Sequence, residues 1–222
     1  MMPLPDGVKT VADRLSAARL NSYEDQVRRE VLWIFSAGAT PRIMTLEKQC
    51  GLPSVHVREI LHRLSGMDLL LLDTTGEAVL AAYPFSATPT PHEVRLRNRE
   101  VFALCAVDAL GIPVMLQETA TILSRCAYCG SPVEVQAQPK NLTRYLPADI
   151  VVWFPTTEED GCCSLAQSRC PSISFFCTGG HLEAWRHASG QPAGVALSLL
   201  EAFEVGGEIF GSLLAQPEPP SG

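Results

Sequence analysis

Val101-Phe-Ala-Leu-Cys105-Ala-Val-Asp108-Ala-Leu-Gly111-Ile-Pro113-Val-Met-Leu116 is an apolar run with a single charged side chain, Asp108. It is long for one strand, and its spacing predicts a buried helix that breaks near Gly111–Pro113. Positions i and i+3 share a helix face, so Cys105 and Asp108 should be neighbours. An ionised carboxylate with no partner in apolar surroundings is costly, so it is neutralised, hydrogen-bonded or put to use. Two readings follow. Asp108 caps a neighbouring loop while Cys105 packs as a small apolar residue, or the carboxylate takes the proton of the adjacent thiol.

Upstream, Val27, Val31, Ile34 and Phe35 recur at helical spacing and predict a helix over 23–37. Thr45 reads as the N-cap of a short helix over 46–50 that Gly51 ends. Ser54 reads as the cap of a further helix to about Leu64, with Val57, Ile60, Leu61 and Leu64 on its apolar face. Segments 67–73 and 77–85, joined by a turn at 74–76, suit a hairpin. Helix, short helix, turn, helix and hairpin is the order of a winged helix-turn-helix, with 54–65 in the recognition-helix place. The same order serves equally as a packing platform. Arg42, Lys48, Arg58 and Arg63 stand against Glu47 and Glu59 across 40–65, a weak basic excess that argues against DNA binding.

A Pro-rich stretch at 87–91 marks a boundary. Short strands are expected at 120–125, 133–137, 150–154 and 172–177, and helices at 182–186 and 195–214. The Pro-rich tail reads as disordered. The expected class is therefore α+β: a winged-helix-like module (1–86) packed with a catalytic domain of mixed or antiparallel sheet and helices (92–215), followed by a disordered tail (216–222).

With 222 residues, 46% hydrophobic and 18% charged, the chain can bury a good core. A net charge of −7 argues against a protein whose main partner is nucleic acid. The N-terminus lacks a basic start followed by an apolar stretch, and no apolar run reaches membrane-spanning length, so the expected location is the cytoplasm. Eight cysteines in a reducing compartment read as packing residues, metal ligands or nucleophiles and not as a disulfide framework.

Cys126-Ala-Tyr-Cys129-Gly130 resembles half of a zinc knuckle. A structural zinc site would need two further thiolates, for which the adjacent pair Cys162-Cys163 is poorly arranged. A thioredoxin-type redox pair should open a helix, whereas Gly130-Ser131-Pro132 leads into a strand. Cys105 and Cys170, if brought together, would form a dithiolate suited to a soft metal ion. A carboxylate within reach would let that site move protons as well.

Several of these stretches resemble the organomercurial lyase (alkylmercury lyase) family over most of the chain. Phe102-Ala-Leu-Cys105-Ala-Val-Asp108-Ala-Leu with Ile112-Pro113 is similar to the family's C-A-x-D-x-L helix and its downstream proline. Cys126 followed by Gly130-Ser131-Pro132-Val133 is similar to its Cys…Gly-x-Pro-Val strand. Gln167-Ser168-Arg169-Cys170 with Ser174-Phe175-Phe176 is similar to its second active-site cysteine and Phe-Phe strand, and Glu201-Ala202-Phe203 to a later helix.

The resemblance implies that Cys105, Asp108 and Cys170 are the catalytic set and hold the metal, with Cys126 structural. It implies protonolysis of a carbon–mercury bond by two thiolates and a proton-carrying Asp, part of mercuric resistance and detoxification. No cofactor is required. The product Hg(II) passes to an external acceptor, a cytosolic thiol or a mercuric reductase. Well-known members carry a second cysteine where this chain has Pro171, and Cys129, Cys162, Cys163 and Cys177 are additional. A winged-helix soft-metal binder or sensor using Cys105, Cys126, Cys129 and Cys170, without lyase activity, is the competing reading.

Overall fold

In a computed structural model of the chain, residues 10–156, 166, 170–190 and 193–215 are described. The expected tail, the Cys162-Cys163 pair and the Gln167–Arg169 part of the motif around Cys170 lie outside them. The class is α+β with antiparallel sheets. Four helices come first: α1 (Val11–Ala18), α2 (Ser22–Ser36), α3 (Ile43–Cys50) and α4 (Ser54–Gly66). Capping boxes start the first two, Thr10 with Asp13 and Asn21 with Glu24, each satisfying otherwise orphaned helix N–H groups.

The start of α3 departs from expectation. Thr45 is inside the helix, and Arg42 occupies the cap position without a side-chain bond. Pairing with the following hairpin sets the start instead: Arg42 bridges Ala78, and Ile43 N–H donates to Glu77 O at 3.1 Å. Ser54 likewise lies one residue inside α4, whose cap position is Pro53.

Strands β1 (Leu70–Leu72), β2 (Val79–Ala82), β3 (Phe85–Ser86), β4 (Glu93–Leu96) and β5 (Arg99–Ala103) precede helix α5 (Ala106–Leu116). Strands β6 (Ala120–Arg125), β7 (Pro132–Gln138), β8 (Asn141–Leu146) and β9 (Val151–Pro155) follow it, and then β10 (Phe175–Phe176), helix α6 (Gly179–Ser189), β11 (Gly194–Ser198) and helix α7 (Leu199–Phe210). One antiparallel sheet runs β1-β2-β3-β5-β4-β6-β7-β8, and a second runs β10-β9-β11. Because β3 pairs with β5, the first sheet continues across the Pro-rich stretch at 87–91. Among the described residues no helix is long and apolar enough to cross a membrane.

Two helix expectations are corrected. Helix α5 does not break at Gly111–Pro113 but runs through both to Leu116. Nearly every residue of α5 is buried, so packing outweighs the cost of the missing proline N–H. Nor is 195–214 one helix. Its first residues pair with β9, and Ser198 with Glu201 forms a capping box that starts α7 at Leu199.

Gly111 serves packing and not termination. A Cβ on Gly206 of α7 would stand 2.8 Å from Val107 O and 2.9 Å from Gly111 N, and one on Gly111 would stand 2.3 Å from the Phe210 ring. The two backbones touch, which holds the first turn of α5 in place. Gly206→Ala must therefore move backbone, and we expect it to destabilise the protein by about 1–3 kcal/mol, the usual range for overpacking. Gly207→Ala meets only Val114 methyls at 3.6 and 3.7 Å and should be neutral or stabilising, by up to about 1 kcal/mol from helix propensity. Urea midpoints of the two variants check this pair.

Candidate active site

The strand β5 ends at Ala103, and Cys105 has extended backbone as the N-cap of α5. Its Sγ accepts a hydrogen bond from Asp108 N–H at 3.4 Å. The local sequence thus makes thiol and carboxylate neighbours by helix capping. Cys170 arrives from elsewhere, on a short 3₁₀ turn (Cys170–Ser172). Ile173 N–H donates to Cys170 O, and Ile173 O accepts from Ala106 N–H, both at 3.0 Å. The second bond docks the turn on the start of α5. The Cys170 thiol lies 3.8 Å from Asp108 Oδ2 and donates to it. The ligand atoms of Cys105, Asp108 and Cys170 all lie within 4.8 Å of one another, and all three residues are buried.

Burial pushes the Asp108 carboxyl up to about 7, against hydrogen bonds from the two thiols and the Cys105 backbone. Burial also lifts the Cys105 thiol well above the ordinary thiol range. Neighbouring Cys170 and Asp108 add to that rise, and the Asp108 N–H opposes it. At neutral pH the site therefore holds a protonated Cys105 thiol beside a carboxyl poised between its two forms. It can release thiol protons when a thiophilic metal arrives, and it has one group that accepts and returns a proton near pH 7.

Sequence reasoning missed Tyr83. Its hydroxyl donates to Asp68 Oδ1 at 3.0 Å and accepts from Ala166 N–H at 2.8 Å. Burial first, then Cys170 and Asp68, raise its pKa, so it remains a neutral phenol. No motif marks it, because its link to Cys170 is purely tertiary. It also missed His92, buried between Ser124 (3.0 Å from Nδ1) and the Phe175 ring. Burial lowers that imidazole to about 4, so it acts as a neutral packing group beside the strand that follows Cys170.

A family model described as alkylmercury lyase matches residues 85–211, more than half of the chain. The chain belongs to the alkylmercury lyase family. It is 26% identical over 194 residues to an alkylmercury lyase of Bacillus cereus, covering 87% of this chain and 84% of that one. An alkylmercury lyase of Staphylococcus epidermidis is 25% identical, with 93% and 94% covered. Among solved structures, the mercury-bound form of MerB2 superposes with a TM-score of 0.78 at 22% identity, over 93% of this chain and 99% of that one. This last likeness establishes a shared fold.

Proposed function

We propose that the chain is an organomercurial lyase in which Cys105, Asp108 and Cys170 cleave the carbon–mercury bond by protonolysis. One observation carries the assignment of these three: a carboxyl raised to about 7 lies between two buried thiols, with every ligand atom within 4.8 Å of the others. The organomercurial is the substrate. One thiol exchanges its proton for mercury, giving a protein-S–Hg–R adduct. The second thiol passes its proton to the Asp108 carboxylate as its sulfur binds the same mercury. Asp108 then protonates the carbon, the carbon–mercury bond breaks, and R–H leaves while Hg(II) stays on the two sulfurs.

No electron is gained or lost, so this scheme needs no redox cofactor. Soft thiolates favour mercury over harder ions, and a proton donor near pH 7 suits transfer to carbon. Turnover then requires an external acceptor, for which cytosolic thiols or a mercuric reductase in the cytoplasm are the proposed partners. Headspace chromatography of protein incubated with phenylmercury and excess dithiol tests the reading. Repeated release of benzene supports it, and stoichiometric mercury retention without benzene would demote the chain to a soft-metal binder.

For the N-terminal segment (1–86) we propose a winged-helix-like module that serves as a packing platform for the catalytic domain (92–215). Two of its basic side chains are engaged internally, Arg58 with Glu77 at 2.7 Å and Arg63 with Glu24. With an acidic whole, little is left to neutralise phosphates. Fluorescence anisotropy with duplex DNA at low salt should show no binding at micromolar protein. Steeply salt-dependent binding would reverse this assignment.

A further inference from the structure

Away from Asp108, a second set of ligand-type side chains converges from two distant segments. The turn between β6 and β7 supplies Cys126 and Cys129. It is closed by Cys126 N–H to Ser131 O and by Gly130 N–H to Cys126 O, each at 2.9 Å. Gly130 has φ +72°, the left-handed conformation that glycine adopts without penalty. From the other side, the chain leaves β10 into Cys177. Thr178 then caps α6 by accepting from His181 N–H at 3.2 Å, which puts His181 on the first helical turn.

Cys126 Sγ lies 3.5 Å from His181 Nδ1 and accepts from Cys177 N–H at 3.4 Å. The three sulfurs and an imidazole nitrogen all lie within 4.8 Å of one another. Sulfurs at the corners of a tetrahedron around zinc, with Zn–S of about 2.3 Å, are separated by roughly 3.8 Å, so these donors need only small adjustments to close on one ion. The sequence spacings are Cys-x-x-Cys-Gly and Cys-x-x-x-His.

We propose that Cys126, Cys129, Cys177 and His181 form a closed structural zinc site. Three sulfurs and one nitrogen suit a borderline-soft divalent ion with tetrahedral preference and leave no position open for substrate. Among the described residues, the two further ligands that Cys126 and Cys129 need are a cysteine and a histidine around the start of α6. The metal ties the β6–β7 turn to the segment running from Cys170 to α6. That tie adds to Ala127 N–H donating to Phe175 O at 3.0 Å. The site thereby steadies the stretch that delivers Cys170 to Asp108, without touching the reacting atoms.

The test is elemental analysis of the full chain, purified with a reducing agent and no added metal, followed by cobalt substitution. About one zinc per chain is expected, and it should fall at least tenfold in Cys129→Ser, a change at an exposed position, and in His181→Asn. Cys105→Ser and Cys170→Ser should keep the zinc. Cobalt should give the intense visible bands of a tetrahedral thiolate site, lost in Cys129→Ser and kept in Cys105→Ser. Should the variants prove insoluble, stripping zinc from the native chain with a chelator must lower its melting temperature, and restoring zinc must recover it. A native chain that carries no zinc and shows no tetrahedral cobalt spectrum overturns the proposal, as does zinc that leaves with Cys105→Ser and not with Cys129→Ser.

Discussion

Cys105→Ser is expected to leave the fold intact and remove turnover, by at least about a thousandfold, the scale seen when one member of a catalytic unit is deleted. The residue has two separable jobs. As N-cap of α5 its sulfur accepts from Asp108 N–H, and serine is among the best residues for that task. As a metal ligand it offers a soft, polarisable sulfur, and a hard hydroxyl oxygen is a poor replacement for a thiophilic ion. Circular dichroism and the melting temperature should therefore stay close to the native values while benzene release from phenylmercury vanishes. Retained turnover would mean that Cys170 alone holds the mercury during cleavage. A collapsed fold would mean that the sulfur's packing, and not its chemistry, was the larger contribution.

Asp108→Asn should separate mercury capture from carbon–mercury cleavage, and it should change stability in a pH-dependent way. The two sulfurs remain, so Hg(II) should still bind, but an amide cannot carry the proton and turnover should stop. The folded carboxyl sits at about 7 against an ordinary 3.8, so between these values the folded state holds more protons than the unfolded one. Stability from this group is therefore full below pH 4, declines as pH rises through 7, and is flat above. The neutral amide has no such decline. The variant should gain on the native protein by about 4 kcal/mol between pH 4 and pH 8, taking 1.36 kcal/mol per unit over roughly three units. Urea unfolding at the two pH values measures the gain. A constant difference would show that burial does not hold this carboxyl in its neutral form. Normal turnover in the variant would remove Asp108 from the proton path.

Much of the framework was legible because it is local. The strand expected at 120–125 matches β6 residue for residue, and the one expected at 133–137 lies within β7. The helix over 23–37 differs from α2 by one residue at each end. Cys105 and Asp108 are three residues apart and are neighbours as expected, although through the extended N-cap geometry of Cys105 and not through a shared helix face. Two of the failures share one cause, a partner distant in the chain. Gly111–Pro113 read as a stop because the glycine's real partner, Gly206, lies on another helix. Thr45 read as a cap because nothing nearby in the chain announces that Glu77 takes the Ile43 N–H. The stretch 195–214 read as continuous helix although Ser198 and Glu201 carry a capping-box spacing that was there to be seen.

The sequence by itself determined the α+β class, the pairing of one thiol with one carboxylate, and the motifs that tie the chain to its family. Local periodicity and short spacings encode all of these. Only the tertiary structure decided that Cys170 reaches Asp108 across 62 residues, that burial holds that carboxyl near neutrality, and that Cys177 and His181 join Cys126 and Cys129. Desolvation and convergence of ligands depend on which segments pack together, and one-dimensional spacing carries no record of that packing.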